Sequence, residues 1–183
     1  MKAIKTKIKD VLILEPDVFS DNRGWFFESY NKERLNSFGI NVDFIQDNHS
    51  YCVKKGTVRG LHVQNFPYTQ SKLVRCTRGS ILDVVVDLRK DSLTYKSWIS
   101  VELSAKNKKQ IFIPRGLAHG FLSLTANAEC QYKVDNYYNK KSERGIRFDD
   151  PDIGVNWNYS NPILSTKDQD NPLLKNSEIN FGD

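Results

Sequence analysis

Three segments concentrate polar residues that a pure scaffold does not need. The first is Val58-Arg59-Gly60-Leu61-His62-Val63-Gln64, followed by Gln70-Ser71-Lys72-Leu73-Val74. The second is Ile113-Pro114-Arg115-Gly116-Leu117-Ala118-His119-Gly120-Phe121, and the third is Cys130-Gln131-Tyr132-Lys133 with Leu164-Ser165-Thr166-Lys167-Asp168 further on. These residue types suit proton transfer. Histidine changes charge near neutral pH, so His62 is a natural general base if a carboxylate holds its tautomer and stabilises the imidazolium; Asp168 can serve. The Lys72 ammonium can stabilise an oxyanion that develops as a proton leaves a carbon next to a carbonyl. Tyr132, with an ordinary pKa of about 10, is protonated at neutral pH and can return a proton as general acid. A base on one face and an acid on the other is the arrangement that inverts a carbon centre. Taken singly, the same residues have plainer roles, His62 as a satisfied structural histidine and Tyr132 as a packed aromatic.

The elements that must position these residues read as strands. Val11 to Leu14, Trp25 to Tyr30, Ile81 to Leu88, Trp98 to Leu103, Gln110 to Ile113 and Glu129 to Tyr138 are rich in β-branched and aromatic residues. Lys72 to Cys76 and Ile81 to Leu88 flank Thr77-Arg78-Gly79-Ser80, which reads as a hairpin loop. Only Asn31 to Phe38 looks helical, with Asn31 as its cap and Gly39 just past its end. Many strands with one short helix predict a mainly β fold, an antiparallel sandwich or small barrel whose mouth can hold a ligand. The stretch 149–183, rich in Asn, Asp and Pro, is expected to form turns or short helices against that barrel.

Composition bounds the rest. The chain has 183 residues, 39% hydrophobic and 27% charged, which suits one domain over 1–183 with a real core. No apolar run approaches the roughly 20 residues that cross a bilayer, and the N-terminus carries no secretory pattern, so a cytoplasmic protein without a membrane partner is expected. Cys52, Cys76 and Cys130 have neither CxxC spacing nor a paired histidine pattern, and read as reduced, partly buried thiols. The net charge of +5 is spread along the chain; it favours a small anionic ligand over nucleic acid.

Pro114-x-Gly116-x-x-His119 between strand-like runs is similar to the second motif of the cupin superfamily of small β-barrels. In metal-binding cupins the first motif supplies a His-x-His pair and a carboxylate. Here Gln64 stands two residues after His62, with Lys72 nearby in sequence, so no metal is expected.

More extensively, from about Val11 to about Leu174, the chain resembles the dTDP-4-dehydrorhamnose 3,5-epimerase family of nucleotide-sugar biosynthesis. The resemblance rests on Asp21-Asn22-Arg23-Gly24-Trp25-Phe26-Phe27-Glu28, Gln46-Asp47-Asn48-His49-Ser50, the three segments above and Asp149-Asp150-Pro151. It implies a cupin-type jelly roll with a few short helices, no cofactor, and inversion of C3 and C5 of a nucleoside-diphosphate 4-keto-6-deoxyhexose, both carbons flanking one carbonyl. It implies His62 as base, Asp168 as its paired carboxylate, Lys72 as enolate stabiliser and Tyr132 as acid. His119 is implied to touch the sugar. Arg23, Glu28, Gln46, Asp47, Asn48, Arg59, Glu143 and Lys167 are implied to bind nucleotide and pyrophosphate, and Tyr138 to stack on the base. It further implies a homodimer in which strands and binding residues near the N-terminus of one subunit complete the site of the other. The chain departs from the family at Asn158, where a Pro is usual, and at Thr57-Val58 before Arg59. Other readings are an epimerase acting at one centre, or a cupin that binds a sugar nucleotide without turning it over; a metal-dependent cupin oxygenase is disfavoured by Gln64.

Overall fold

β-Branched and aromatic residues recur along the long strands, and these strands form two sheets laid face to face. The computed structural model describes residues 1–182. Its strands are β1 (Lys2–Lys5), β2 (Leu12–Glu15), β3 (Phe19–Asp21), β4 (Gly24–Phe26), β5 (Gln46–Cys52), β6 (Val58–Gln64) and β7 (Lys72–Arg78). They continue with β8 (Ser80–Asp87), β9 (Trp98–Ser104), β10 (Gln110–Ile113), β11 (Leu117–Ser123), β12 (Ala128–Val134) and β13 (Glu143–Gly145). One sheet has the order β1-β2-β10-β7-β12-β5, the other β13-β6-β11-β8-β9, and β3-β4 form a separate ribbon. This is the mainly β, jelly-roll sandwich that the resemblance implies. Among the described residues no helix is long and apolar enough to cross a membrane.

The core lies in three layers. Between the sheets, Val74, Cys76, Ile111, Ile113 and Cys130 meet Ile81, Val85, Leu103, Leu117 and Phe121. Burying each large aliphatic or aromatic side chain there contributes about 1.5–3 kcal/mol before chain entropy is set against it. The outer face of the five-stranded sheet, with Val58, Leu61, Val63, Val84, Val86 and Leu122, is covered by Ile146, Ile153, Trp157 and partly buried Leu164 and Leu174. That is why Val84-Val85-Val86 is apolar without alternation: both faces of β8 are covered. On the six-stranded sheet, Leu14, Leu73 and Phe112 are covered by Leu35 and Ile40. Leu35 belongs to α1 (Lys32–Ser37), whose cap Asn31 accepts from the Arg34 N–H, as its sequence predicts.

Three expectations need correction. The residues 77–80 do not turn a hairpin: β7 and β8 lie in opposite sheets, and the chain crosses between them at Gly79, where φ is +68°. A glycine between two strand-like runs signals a sharp turn but not whether the strands pair. Trp25 to Tyr30 is strand only to Phe26, because this ribbon has no second neighbour to extend it. β12 ends at Val134, where the Asp135 carboxylate leaves the ladder to accept from the Ser71 N–H.

One irregularity determines what faces the lumen. In a regular strand, residues three apart point to opposite faces, so Arg59 and His62 would be separated. On β11, His119 pairs with His62 and Phe121 with Arg59, so three steps on β6 match two on β11. The extra residue on β6 turns both Arg59 and His62 to the side shared by His119 and Phe121. Gly60 permits it, with φ of +113°; a Cβ there would stand 2.6 Å from Gly120 Cα and 2.7 Å from the His119 carbonyl oxygen. We expect Gly60→Ala to lower unfolding stability by more than about 2 kcal/mol in denaturant titration. A loss no larger than that of Gly154→Ala, also at positive φ but with its nearest neighbour 4.0 Å away, would exclude the contact as cause.

Candidate active site

Polar side chains from both sheets meet at one part of the lumen. His62 on β6 and His119 on β11 are direct cross-strand partners. His62 Nε2 lies 2.6 Å from Asp168 Oδ1. Because a carboxylate only accepts, Nε2 carries a proton, and in the neutral ring Nδ1 keeps the lone pair. Asp168 sits in the short helix α2 (Thr166–Gln169), whose cap is Ser165. The Ser165 hydroxyl accepts from the Asp168 N–H at 3.1 Å and donates to Asp168 Oδ2 at 2.8 Å. Burial pushes the Asp168 carboxyl up, but the bonds from His62 and Ser165 and the charge of Lys167 outweigh it and leave it below its ordinary value. Asp168 is therefore a fixed anion facing an imidazole.

A second pair lies beside the first. His119 Nε2 is 2.8 Å from Asp83 Oδ2, and both side chains are buried. Burial pushes His119 below its ordinary pKa although Asp83 opposes it, so the ring is neutral at pH 7. Lys72 begins β7, and burial draws its ammonium down to about 8 against the opposing charges of Asp83 and Glu143. Its Nζ stands 6.0 Å from the centre of the Tyr132 ring. Burial raises the Tyr132 phenol, with Cys130 adding to it, so the hydroxyl keeps its proton.

Toward the mouth, Glu143 on β13 takes Lys167 on Oε1 and accepts from the Tyr138 hydroxyl on Oε2 at 2.8 Å. Arg59 donates through Nη2 to the Tyr51 carbonyl at 3.1 Å, with Nε 3.5 Å from Cys52 Sγ. Gln46 and Asn48 share a face of β5 and bond each other at 2.9 Å. Gln64 donates to the carbonyls of Tyr68 and Tyr137 and accepts from the Asn139 N–H, which ties together the two loops at the mouth and positions the segment carrying Tyr138.

Three residues expected at the site are not brought to it within the chain. Asp47 alternates with Gln46 and Asn48, points to the outer face of the six-stranded sheet and pairs with Lys133 at 2.8 Å. Arg23 is 85% exposed on the β3-β4 ribbon and pairs with Asp21. Glu28 pairs with Arg34 at 3.0 Å.

A family model described as dTDP-4-dehydrorhamnose 3,5-epimerase matches residues 5–176. The chain belongs to the dTDP-4-dehydrorhamnose 3,5-epimerase family. It is 52% identical over 176 residues to the dTDP-4-dehydrorhamnose 3,5-epimerase of Salmonella typhimurium, covering 95% of this chain and 96% of that one. It also superposes on the Bacillus anthracis 3,5-epimerase solved with TDP and PPi bound, with a TM-score of 0.93 and 46% identity over 94% of this chain and 99% of that one. The Legionella pneumophila enzyme solved with dTDP-4-keto-L-rhamnose gives a TM-score of 0.92 at 41% identity, over 96% and 93%. The chain is thus an isomerase of this family.

Three further residues of this candidate site, Asp83, Ser165 and Gln64, are not assigned to it by the sequence alone. Asp83 hides in an apolar strand, although a carboxylate between Leu82 and Val84 is itself a signal. Ser165 is legible as the cap in Ser165-x-x-Asp168. Gln64 was read only as a poor metal ligand, while its amide organises the mouth.

Lys72 makes the site costly. A lysine whose folded pKa lies near 8, below its ordinary 10.5, destabilises the fold fully below pH 8, and the cost fades as pH rises to 10.5, because the unfolded chain then holds the extra proton. Lys72→Met should therefore raise the melting temperature by a few degrees at pH 7, and its advantage over the wild type should shrink between pH 8 and 10.5; a variant less stable at pH 7 would contradict this.

Proposed function

We propose that this epimerase inverts C3 and C5 of dTDP-4-keto-6-deoxyglucose, giving dTDP-4-dehydrorhamnose, with His62 as base, Lys72 as enolate stabiliser and Tyr132 as acid. The observation that carries the assignment of roles is the 2.6 Å His62–Asp168 bond in the same lumen as a buried ammonium and a protonated phenol. Asp168 fixes the His62 tautomer so that Nδ1 faces the sugar, and stabilises the imidazolium formed when Nδ1 takes the proton from C3 or C5. The electron pair moves onto the C4 oxygen, and the Lys72 ammonium donates to it in a water-poor lumen where such a contact is strong. Tyr132 then returns a proton from the opposite face. The carbonyl serves both carbons, so one set of residues suffices after the ring reorients. His119, neutral and with Nε2–H on Asp83, presents Nδ1 as an acceptor for a sugar hydroxyl. Lys167, Arg59 and Tyr138 at the mouth suit a diphosphate and a base.

Incubation with dTDP-4-keto-6-deoxyglucose in D2O should place deuterium at both C3 and C5, as read by NMR. His62→Ala should reduce exchange at both carbons by at least about a thousandfold, within the range of a lost general base with its dyad. Tyr132→Phe should spare initial exchange more than product formation. Equal loss of both would remove Tyr132 as the returning acid, and exchange at one carbon alone would make the enzyme a single-centre epimerase.

We assign Arg23, Glu28 and the β3-β4 ribbon to the site of a partner subunit in a homodimer. Support comes from the ribbon itself, which holds Phe19, Trp25 and Phe26 at 63%, 59% and 66% exposure, a patch that suits burial against a second copy. Mixing refolded Arg23→Ala and His62→Ala chains should restore about a quarter of wild-type activity, because half the dimers are mixed and each has one intact site. Activity no higher than the mean of the parents would refute shared sites. The three buried, unpaired cysteines suit a reducing cytoplasm, where we place the enzyme.

A further inference from the structure

Charge is distributed unevenly around Lys72. From β11 it is faced by His119, whose cross-strand partner on β6 is His62, from β12 by Cys130 and Tyr132, from β13 by Glu143, and from β8 by Asp83. Of the two carboxylates, Glu143 is committed on both oxygens, to Lys167 and to Tyr138. Asp83 is committed on one. Its Oδ2 accepts from His119, while Oδ1 is fully buried and has no hydrogen-bond partner among the described residues. A buried carboxylate oxygen left unpaired is destabilising and calls for an explanation.

We propose that Asp83 is a positioning residue for epimerisation, the counter-charge that keeps the Lys72 ammonium protonated at a distance while its other oxygen fixes the His119 tautomer. This rests on the role proposed for Lys72 above. A direct Lys72–Asp83 ion pair would tie the ammonium donors to the carboxylate. Held without a hydrogen bond, Asp83 opposes the desolvation that strips Lys72 of its proton, yet leaves the donors of Nζ free to meet the C4 oxygen as charge develops there. The same anion satisfies His119 Nε2–H, so one carboxylate sets the state of two groups that face the sugar.

The test is the pH dependence of kcat for product formation in the wild type, Asp83→Asn and Asp83→Glu. The wild-type rate should fall as pH rises through about 8, where Lys72 loses its proton. Asp83→Asn should move that limb down by about one pH unit, the size expected for loss of a nearby opposite charge, with KM changed less than the limb position. Asp83→Glu should return the limb toward its wild-type place even if the maximal rate stays low. His119→Asn, which keeps the carboxylate, should not move the limb downward. If the Asn variant does not fold by circular dichroism, Asp83→Ser supplies the neutral side chain. A neutral variant that lowers kcat uniformly with the limb in place overturns the proposal. Loss of the role proposed for Lys72 itself would look different: Lys72→Met would then retain exchange at C3 and C5.

Discussion

The interior of a two-sheet sandwich favours apolar side chains and penalises charge, and this chain obeys that rule in one part of its lumen and breaks it in another. Val74, Cys76, Ile111, Val85 and Phe121 hold the sheets together. Beside them stand a lysine, a tyrosine and two imidazole–carboxylate pairs, whose members an apolar interior would expel if they were not bound to one another. The pairing is what makes the polar part tolerable. His62 answers Asp168 and His119 answers Asp83, whereas among the described residues Lys72 has no ion-pair or hydrogen-bond partner, and burial draws its ammonium down to about 8. The covering layers outside both sheets supply the stability against which this internal cost is set.

Geometry inside the lumen depends on backbone as much as on side chains. Arg59 and His62 would lie on opposite faces of a regular strand, and the extra residue on β6, which Gly60 permits by its close approach to Gly120, turns them the same way. The residues are prominent in the sequence; their shared orientation is not, because it depends on how β6 meets a strand nearly sixty positions away.

What is legible in the sequence divides along the same line. Local signals read correctly: the Asn31 cap, Gly39 beyond α1, and the strand Gln110–Ile113. The identities of His62, Lys72, Tyr132 and Asp168 were legible from residue type and family register, and the lumen brings them together. Partnerships across the fold were not. The crossing at Gly79 looks like a hairpin because nothing within residues 72–88 states which sheet each strand joins. Asp83 and Asp87 flank three valines, yet both are fully buried, one on His119 and the other holding Arg89, Ser92 and Thr94. Their meaning depends on partners that only the folded chain supplies. Arg23, Glu28 and Asp47 mark the opposite limit: family register names them, and one chain alone does not bring them to the site.

Lys167 and Asp168 are neighbours on a helix of four residues, one reaching Glu143 at the mouth and the other His62 within. In the roles proposed above, the group suited to the phosphates and the group that orients the base therefore ride on one turn of backbone. Recognition and proton transfer cannot drift independently here. On that proposal, a lineage that lengthened this turn to accept a bulkier nucleotide would displace the carboxylate behind its own base, so divergence in ligand preference would be channelled toward the loops around Tyr138 and the ribbon carrying Arg23.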